Sequence, residues 1–190
     1  MATQFTKLDI DWLAVKNACR LTVNKAASTV QPILAWRRGL LISEHSPLRL
    51  ISVSWLWADI KSWVATHWCR HKWECFISTQ RGMEDRDDRR QGALVNFAGQ
   101  ANAQHLIDTW RKRLCFRAHP ETRQLALDFK RELAAYDPEL SWALVPNCVY
   151  RCGCPEPKSC GWWQSVGNRL SAEQLSNIRA RYDYYQDIGS

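Results

Sequence analysis

The chain has 190 residues, with 26 Lys and Arg against 19 Asp and Glu, a net charge of +7. Apolar residues make up 46%, which excludes a disordered chain and supports one domain with a sizeable core; no apolar run reaches membrane-spanning length, which excludes a spanning helix. The positive balance points to an anionic partner, whether a nucleotide, a cofactor phosphate or nucleic acid.

Leu8, Trp12, Val15, Cys19 and Val23 recur at helical spacing and predict a helix over 8–27. A second helix is expected over 30–42, with Leu34, Leu40 and Leu41 apolar and Arg37 and Arg38 solvated. Glu44-His45-Ser46-Pro47 reads as a turn, and 48–57, rich in strand formers, as a strand. Asp59 is a good N-cap for a helix over 60–71, in which Trp63, Val64, His67 and Trp68 share a face. Cys75 to Thr79 is a short strand candidate, and 81–91, charged and without an apolar period, is a loop. Ala101, Leu106, Ile107, Trp110 and Leu114 form the stripe of a helix over 97–117; Arg111, Lys112 and Arg113 are its solvated face, with Arg113 pointing partly inward. Pro120 opens a helix to about Tyr136, and Asp137-Pro138-Glu139 opens a short one ending before Pro146. Residues 147–163 are a Cys/Pro/Gly loop, and the capping box Ser171 to Gln174 starts a last helix over 172–185. The fold class is therefore α+β, without an internal repeat. Of eleven Trp, the close-set Trp55, Trp57, Trp63, Trp68 and Trp73 are expected to build a core wall.

The chemistry concentrates after the first Trp group. Arg70-His71-Lys72 is followed by Thr79-Gln80-Arg81, and a second basic and amide set stands at Arg86, Asn102 and Arg113. Arg forks pair with phosphate and with planar carbonyl edges, while a hydroxyl and an amide read a base or ring, so the inventory suits an anionic nucleotide site. Each residue also has a plainer reading. Arg86, Arg89 and Arg90 lie in a charge run that is usually a solvated loop, and His67 on its Trp-rich face suits an ordinary buried histidine.

The same residues resemble the flavin-dependent thymidylate synthases, whose signature is R-H-R-x-x-S-x-N-E-x-S-x-R. Arg70-His71-Lys72 stands at its start and Thr79-Gln80-Arg81 where it has S-x-R; Glu44-His45-Ser46-Pro47 resembles the family's E-H-x-S-P turn. His67 stands where the family usually has Gln. Asn102-Ala103-Gln104 resembles its N-A-R; Ala118, Glu121 and Arg123 match its A-x-x-E-x-R; Arg86 and Arg113 fall at substrate Arg positions. The likeness covers about residues 10–135. It departs where Phe76 and Ile77 replace Asn-Glu, and where the long segment between signature and next Arg is missing, a shortening associated with bacteriophage members.

This resemblance implies a small, mostly antiparallel sheet packed with helices over 1–145, followed by a Cys-rich loop and C-terminal helix over 146–190. It implies reductive methylation of dUMP to dTMP, with methylenetetrahydrofolate as carbon donor and NADPH as reductant through bound FAD, and no cysteine nucleophile. Arg70, His71, Lys72 and Asn102 would meet FAD, with Gln104 and Asp108 nearby. His67, Thr79, Arg81, Arg86 and Arg113 would meet dUMP, with Thr79 and Arg81 closest to the chemistry. The family's sites are shared between subunits of a homotetramer. The start of the chain lacks a basic region followed by an apolar block, so a cytoplasmic protein is expected, in the host cytoplasm for a phage-encoded member.

In a reducing cytoplasm, clustered cysteines suggest metal before disulfide. Cys148, Cys152, Cys154 and Cys160 place four thiols within thirteen residues and suit Zn²⁺ or an iron–sulfur cluster, while Cys19, Cys69, Cys75 and Cys115 read as buried small residues. Two rival readings remain at this stage. One is a family member with altered pyrimidine-nucleotide chemistry; the other is a basic, Cys-rich module holding nucleic acid through Lys72, Arg86, Arg89 and Arg90.

Overall fold

Alternation of buried and exposed side chains organises the protein around one sheet. A computed structural model describes residues 3–78 and 90–189. Four strands, β1 (Gln4–Asp9), β2 (Ser52–Lys61), β3 (Glu74–Ile77) and β4 (Leu94–Asn102), lie in the order β1-β2-β4-β3, with every neighbouring pair antiparallel. Val53, Trp55 and Trp57 of β2 face the core between partly exposed Ser52, Ser54 and Leu56, and Val95, Phe97, Gly99 and Ala101 of β4 do the same. The helices are α1 (Trp12–Leu21), α2 (Leu34–Ser43), α3 (Ser62–Trp68), α4 (Ala103–Arg113), α5 (Pro120–Ala134), α6 (Pro138–Ala143), α7 (Asn147–Arg151), α8 (Trp162–Gly167), α9 (Ala172–Ser176) and α10 (Ile178–Gly189), with a 3₁₀ turn at Ser46–Leu50. The result is the expected α+β class. Among the described residues, no helix is long and apolar enough to cross a membrane.

Several element boundaries differ from the sequence expectation, each for a local reason. Leu8 and Asp9, expected to open the helix over 8–27, instead end β1, and α1 starts only after Asp11, whose Oδ1 accepts from the amides of Leu13 and Ala14 at 2.9 and 3.0 Å, and ends at Leu21. Asp59 is not a helix cap. It sits at a bulge in β2 with φ of 54°, and its amide donates to Asn96 Oδ1. The helix expected over 97–117 divides at Asn102: the period-2 pattern before it becomes β4, and Asn102 Oδ1 accepts from the His105 amide at 2.9 Å to start α4. The capping box at Ser171 and Gln174 is present, but the last helix breaks at Asn177 into α9 and α10. The Cys/Pro/Gly stretch contains α7 and the start of α8.

The core wall forms as the Trp pattern predicts. Trp55, Trp57, Trp68 and Trp110 are fully buried, and Trp63 and Trp73 sit at its margin. The Trp55 ring lies 5.1 to 6.4 Å from those of Trp57, Trp73, Phe97, Trp110 and Phe129, mostly edge to face. It fits only because its neighbour on β4 is Gly99, where a Cβ would stand 2.4 Å from Trp55 Cζ2.

A second constraint joins the helices. Glu44, left-handed at φ 51°, ends α2 and sends its carboxylate onto the guanidinium of Arg111 on α4. Gln104 Nε2 donates to the other oxygen at 2.6 Å. Arg111 also lies 3.6 Å over the ring of Tyr150 on α7. Its side chain is 9% exposed and that of Glu44 19%. Burial opposes the charge on Glu44, but the hydrogen bonds from Arg111 and Gln104 outweigh it and hold the carboxyl below its ordinary pKa.

Two stability changes follow from these contacts. Gly99→Ala is expected to lower unfolding free energy by about 1–3 kcal/mol, because the indole and the strand must move apart; urea denaturation measures it. Glu44→Gln leaves buried Arg111 with only the looser 3.5 Å contact to exposed Asp108 as counter-charge and is expected to cost about 3 kcal/mol. Since the folded pKa of Glu44 is depressed, its contribution is present above the unfolded carboxylate value and is lost as pH falls through the folded one. The difference in Tm between wild type and variant therefore shrinks on acidification.

Candidate functional site

Trp68 ends α3 inside the core, so the residues after it emerge from a fixed point. Arg70 and Lys72 are exposed on the turn that leads into β3, and His71 between them is half-buried. From α4, Arg113 Nε donates to His71 Nε2 at 2.8 Å, and Arg113 Nη2 donates to the His67 carbonyl at 2.5 Å. Burial, then the neighbouring Arg113 and Lys112 charges, push the His71 pKa down to about 4. The imidazole is neutral at neutral pH; with Nε2 accepting from Arg113, its proton belongs on Nδ1.

A cavity of about 350 Å³ opens between this turn and α4. Arg70, His71 and Lys72 line one side, His105, Asp108 and Lys112 the other, and Arg151 of α7 lies at its end. Among the described lining residues Asp108 is the only acid, and it is already engaged by Arg111 at 3.5 Å and Gln104 at 3.3 Å. Among the described residues, Arg70, Lys72, Lys112 and Arg151 then have no acidic partner, and a concave surface of such cations concentrates anions. A fork of Arg and point charges of Lys suit phosphate oxygens.

The sequence-derived residues are only partly brought together. Arg70, His71, Lys72 and Asp108 share this cavity, with Arg113 bonded to the back of His71. His67 turns away: its Nδ1 is 3.0 Å from Thr122 Oγ1, and with Arg70 it borders a separate hollow beside Trp63. Burial first, then Arg113 and Arg70, lower its pKa. Gln104 is committed to Glu44. Asn102 spends its oxygen on the α4 cap and opens, with Lys72 and His105, onto a neighbouring hollow of about 570 Å³. Thr79, Arg81 and Arg86 lie outside the described residues.

Arg111 corrects the sequence reading, which made it part of a solvated face. It is buried, four residues after Ile107 and three before Leu114, so it stands on the apolar stripe. That spacing was the available signal. Nothing in the local pattern announced Tyr150 or Arg151, which reach the cavity only because α7 packs on α4.

The thiols are also rearranged. Cys115, Cys148, Cys154 and Cys160 line one cavity of about 290 Å³, whereas Cys152 donates from Sγ to the Leu175 carbonyl at 3.3 Å. Among the described residues, no three His, Cys, Asp or Glu side chains are close enough to hold a metal ion. The set Cys148, Cys152, Cys154 and Cys160 is thus not assembled, because Cys152 caps α7 in the left-handed conformation and faces the C-terminal helices. Separately, Cys75 donates to Cys69 across 3.4 Å beside the Arg70 turn.

No protein-family model matches the chain, and no curated protein matches it. Solved structures do. The flavin-dependent thymidylate synthase ThyX from Helicobacter pylori, complexed with FAD and dUMP, superposes with a TM-score of 0.64 at 11% identity, covering 76% of this chain and 100% of that one. The UMP/dUMP methylase PolB from Streptomyces cacaoi, bound with 5-Br dUMP, gives 0.62 at 14% identity, covering 75% of this chain and 93% of its own. A second Helicobacter pylori ThyX structure, with FAD and dUMP, gives 0.62 at 11% identity over 76% of this chain and 97% of that one. The four-stranded antiparallel sheet and the helices packed around it are the fold of the flavin-dependent thymidylate synthases.

Proposed function

We propose that this chain is a flavin-dependent thymidylate synthase, which methylates dUMP to dTMP with methylenetetrahydrofolate as carbon donor and NADPH as reductant. The observation that carries the reading is the cationic cavity, which the Arg70-His71-Lys72 turn builds against α4 within this fold. FAD, when bound, supplies the hydride relay between NADPH and the nucleotide.

The residues present fit an anionic, phosphate-bearing group. Arg70, Lys72, Lys112 and Arg151 supply charge around one cavity, and Asp108, the one acid among its described lining residues, is already paired. Neutral His71 offers Nδ1–H as a donor, and Arg113 fixes the plane of its ring. Asn102 keeps its side-chain NH₂ available beside Lys72, since only its oxygen is used by the cap. In this reading the protein's work is positioning and electrostatics. Cys69, the half-buried thiol beside the turn, is pushed up to about 12 by burial and by Cys75, so it stays protonated and fits a reaction without a thiolate nucleophile. Thr79, Arg81, Arg86 and His67 belong to the dUMP side by resemblance, and a homotetramer with shared sites in the cytoplasm completes the proposal.

One feature favours testing a wider substrate range. Phe76, where the resemblance expects a polar residue, points outward from β3 and is 72% exposed. The altered-chemistry reading gains if another modified pyrimidine replaces dTMP as the product, and UMP belongs in the assay beside dUMP because the similar Streptomyces cacaoi methylase is named for both.

Mixing the protein with dUMP, FAD, NADPH and methylenetetrahydrofolate is expected to yield dTMP by mass spectrometry; absence of FAD and dUMP binding overturns the reading. Arg70→Ala and Lys72→Ala are each expected to weaken FAD or dUMP at least about tenfold by calorimetry, the size of a charge-assisted hydrogen bond, with Tm unchanged because both side chains are exposed. Preference for a DNA or RNA polymer over dUMP, with a steep salt slope, moves the assignment to nucleic-acid binding.

A further inference from the structure

We propose that Cys115, Cys148, Cys154 and Cys160 are the ligands of an iron–sulfur cluster, seated in the cavity between the end of α4 and the segment that leads into α8. The four thiols come from separate pieces of chain: Cys115 follows α4, Cys148 is in α7, and Cys154 and Cys160 flank the Pro155–Ser159 stretch. All four line the same space of about 290 Å³.

All four cysteines border this space, yet among the described residues no three His, Cys, Asp or Glu side chains form a group that could hold a single metal ion. A single tetrahedral ion, with metal–sulfur bonds of about 2.3 Å, needs its sulfurs about 3.8 Å apart. No such group exists among the described residues. A polynuclear cluster holds its thiolates further apart and fills the volume between them. Its geometry therefore answers both observations: four cysteines on one cavity, and no compact ion site.

The surroundings match a cluster's charge. Four thiolates make such a cluster anionic, and Arg111, Lys112, Arg113 and Arg117 line the same cavity. Phe116, Trp162 and Trp163 form an aromatic side of the cavity, with Phe116 stacked on Trp162 at 5.3 Å, while Glu156 also lines it and Cys160 is exposed to solvent. Cys152 is the cysteine left out. It caps α7 at φ 54° and its thiol is held by the Leu175 carbonyl. Arg111, Lys112 and Asn147 line both this cavity and the cationic one, so the cluster stands next to the proposed nucleotide site. The assignment does not rest on that site's function, and metal content and nucleotide affinity are measured separately.

The test is iron and acid-labile sulfide analysis of the full chain purified without oxygen, with electron paramagnetic resonance after dithionite reduction to separate a cluster from bound flavin. Equimolar iron and sulfide at about two or four per chain is expected. Cys115→Ser and Cys154→Ser should lose most of the iron, and Cys152→Ser should keep it. In wild-type protein, Cys115 should resist iodoacetamide until the iron is chelated, a readout independent of whether the variants fold. Absence of iron, one zinc per chain without sulfide, loss of iron in Cys152→Ser, or free alkylation of Cys115 in the iron-loaded protein each overturns the proposal.

Discussion

Among the described glycines, Gly99 is the most tightly hemmed in, with the Trp55 indole lying against its backbone. An indole lies where a neighbouring strand would ordinarily place a Cβ, and the register of β2 against β4 sets those two residues opposite each other. From Trp55 the aromatic packing spreads to Trp73, Trp110 and Phe129. Trp110 lies on α4, and Trp73 follows the Arg70-His71-Lys72 turn. The ring that fills the core thus holds both walls of the cationic cavity, and a shift of one strand would alter their separation. Close packing makes the site's geometry a property of the core.

Charge supplies the opposing demand. Cations gathered around a small cavity repel one another, and the protein tolerates them by treating each differently. Arg111 is neutralised by Glu44, which also ties α2 to α4. Arg113 gives its hydrogen bonds to neutral acceptors, His71 and the His67 carbonyl, and so is held in place without an acidic partner among the described residues. Arg70 and Lys72 remain exposed to solvent. A bound anion would relieve the repulsion left over.

The C-terminal region adds to this site physically. Arg181 of α10 donates to the carbonyls of Val149 and Tyr150, fixing α7, and α7 carries both Tyr150, against Arg111, and Cys148. Tyr182 and Tyr185 of α10 are buried in the same core as the sheet tryptophans. Residues beyond 146 therefore help to position α4 as well as to surround the thiols.

Local patterning already determined much. The α+β class, α2, α5, α6, the capping box at Ser171 and the Trp core wall are set by short-range periodicity and capping chemistry, which act within a few residues and are readable there. The grouping of Arg70, His71 and Lys72 is likewise contiguous in the chain. What tertiary structure decided depends on partners distant in sequence. Residues 94–102 are a strand because β2 and β3 pair with them on both sides, although their apolar residues also fit a helix. Arg111 is interior because Glu44, far upstream, answers its charge, and Gln104 faces Glu44 for the same reason. Cys115 joins Cys148, Cys154 and Cys160 while Cys152 leaves them, because a left-handed cap at Cys152 turns its thiol toward Leu175. Spacing along the chain specifies which thiols are near in sequence; the direction of each Cβ, set by the fold, determines which share a cavity.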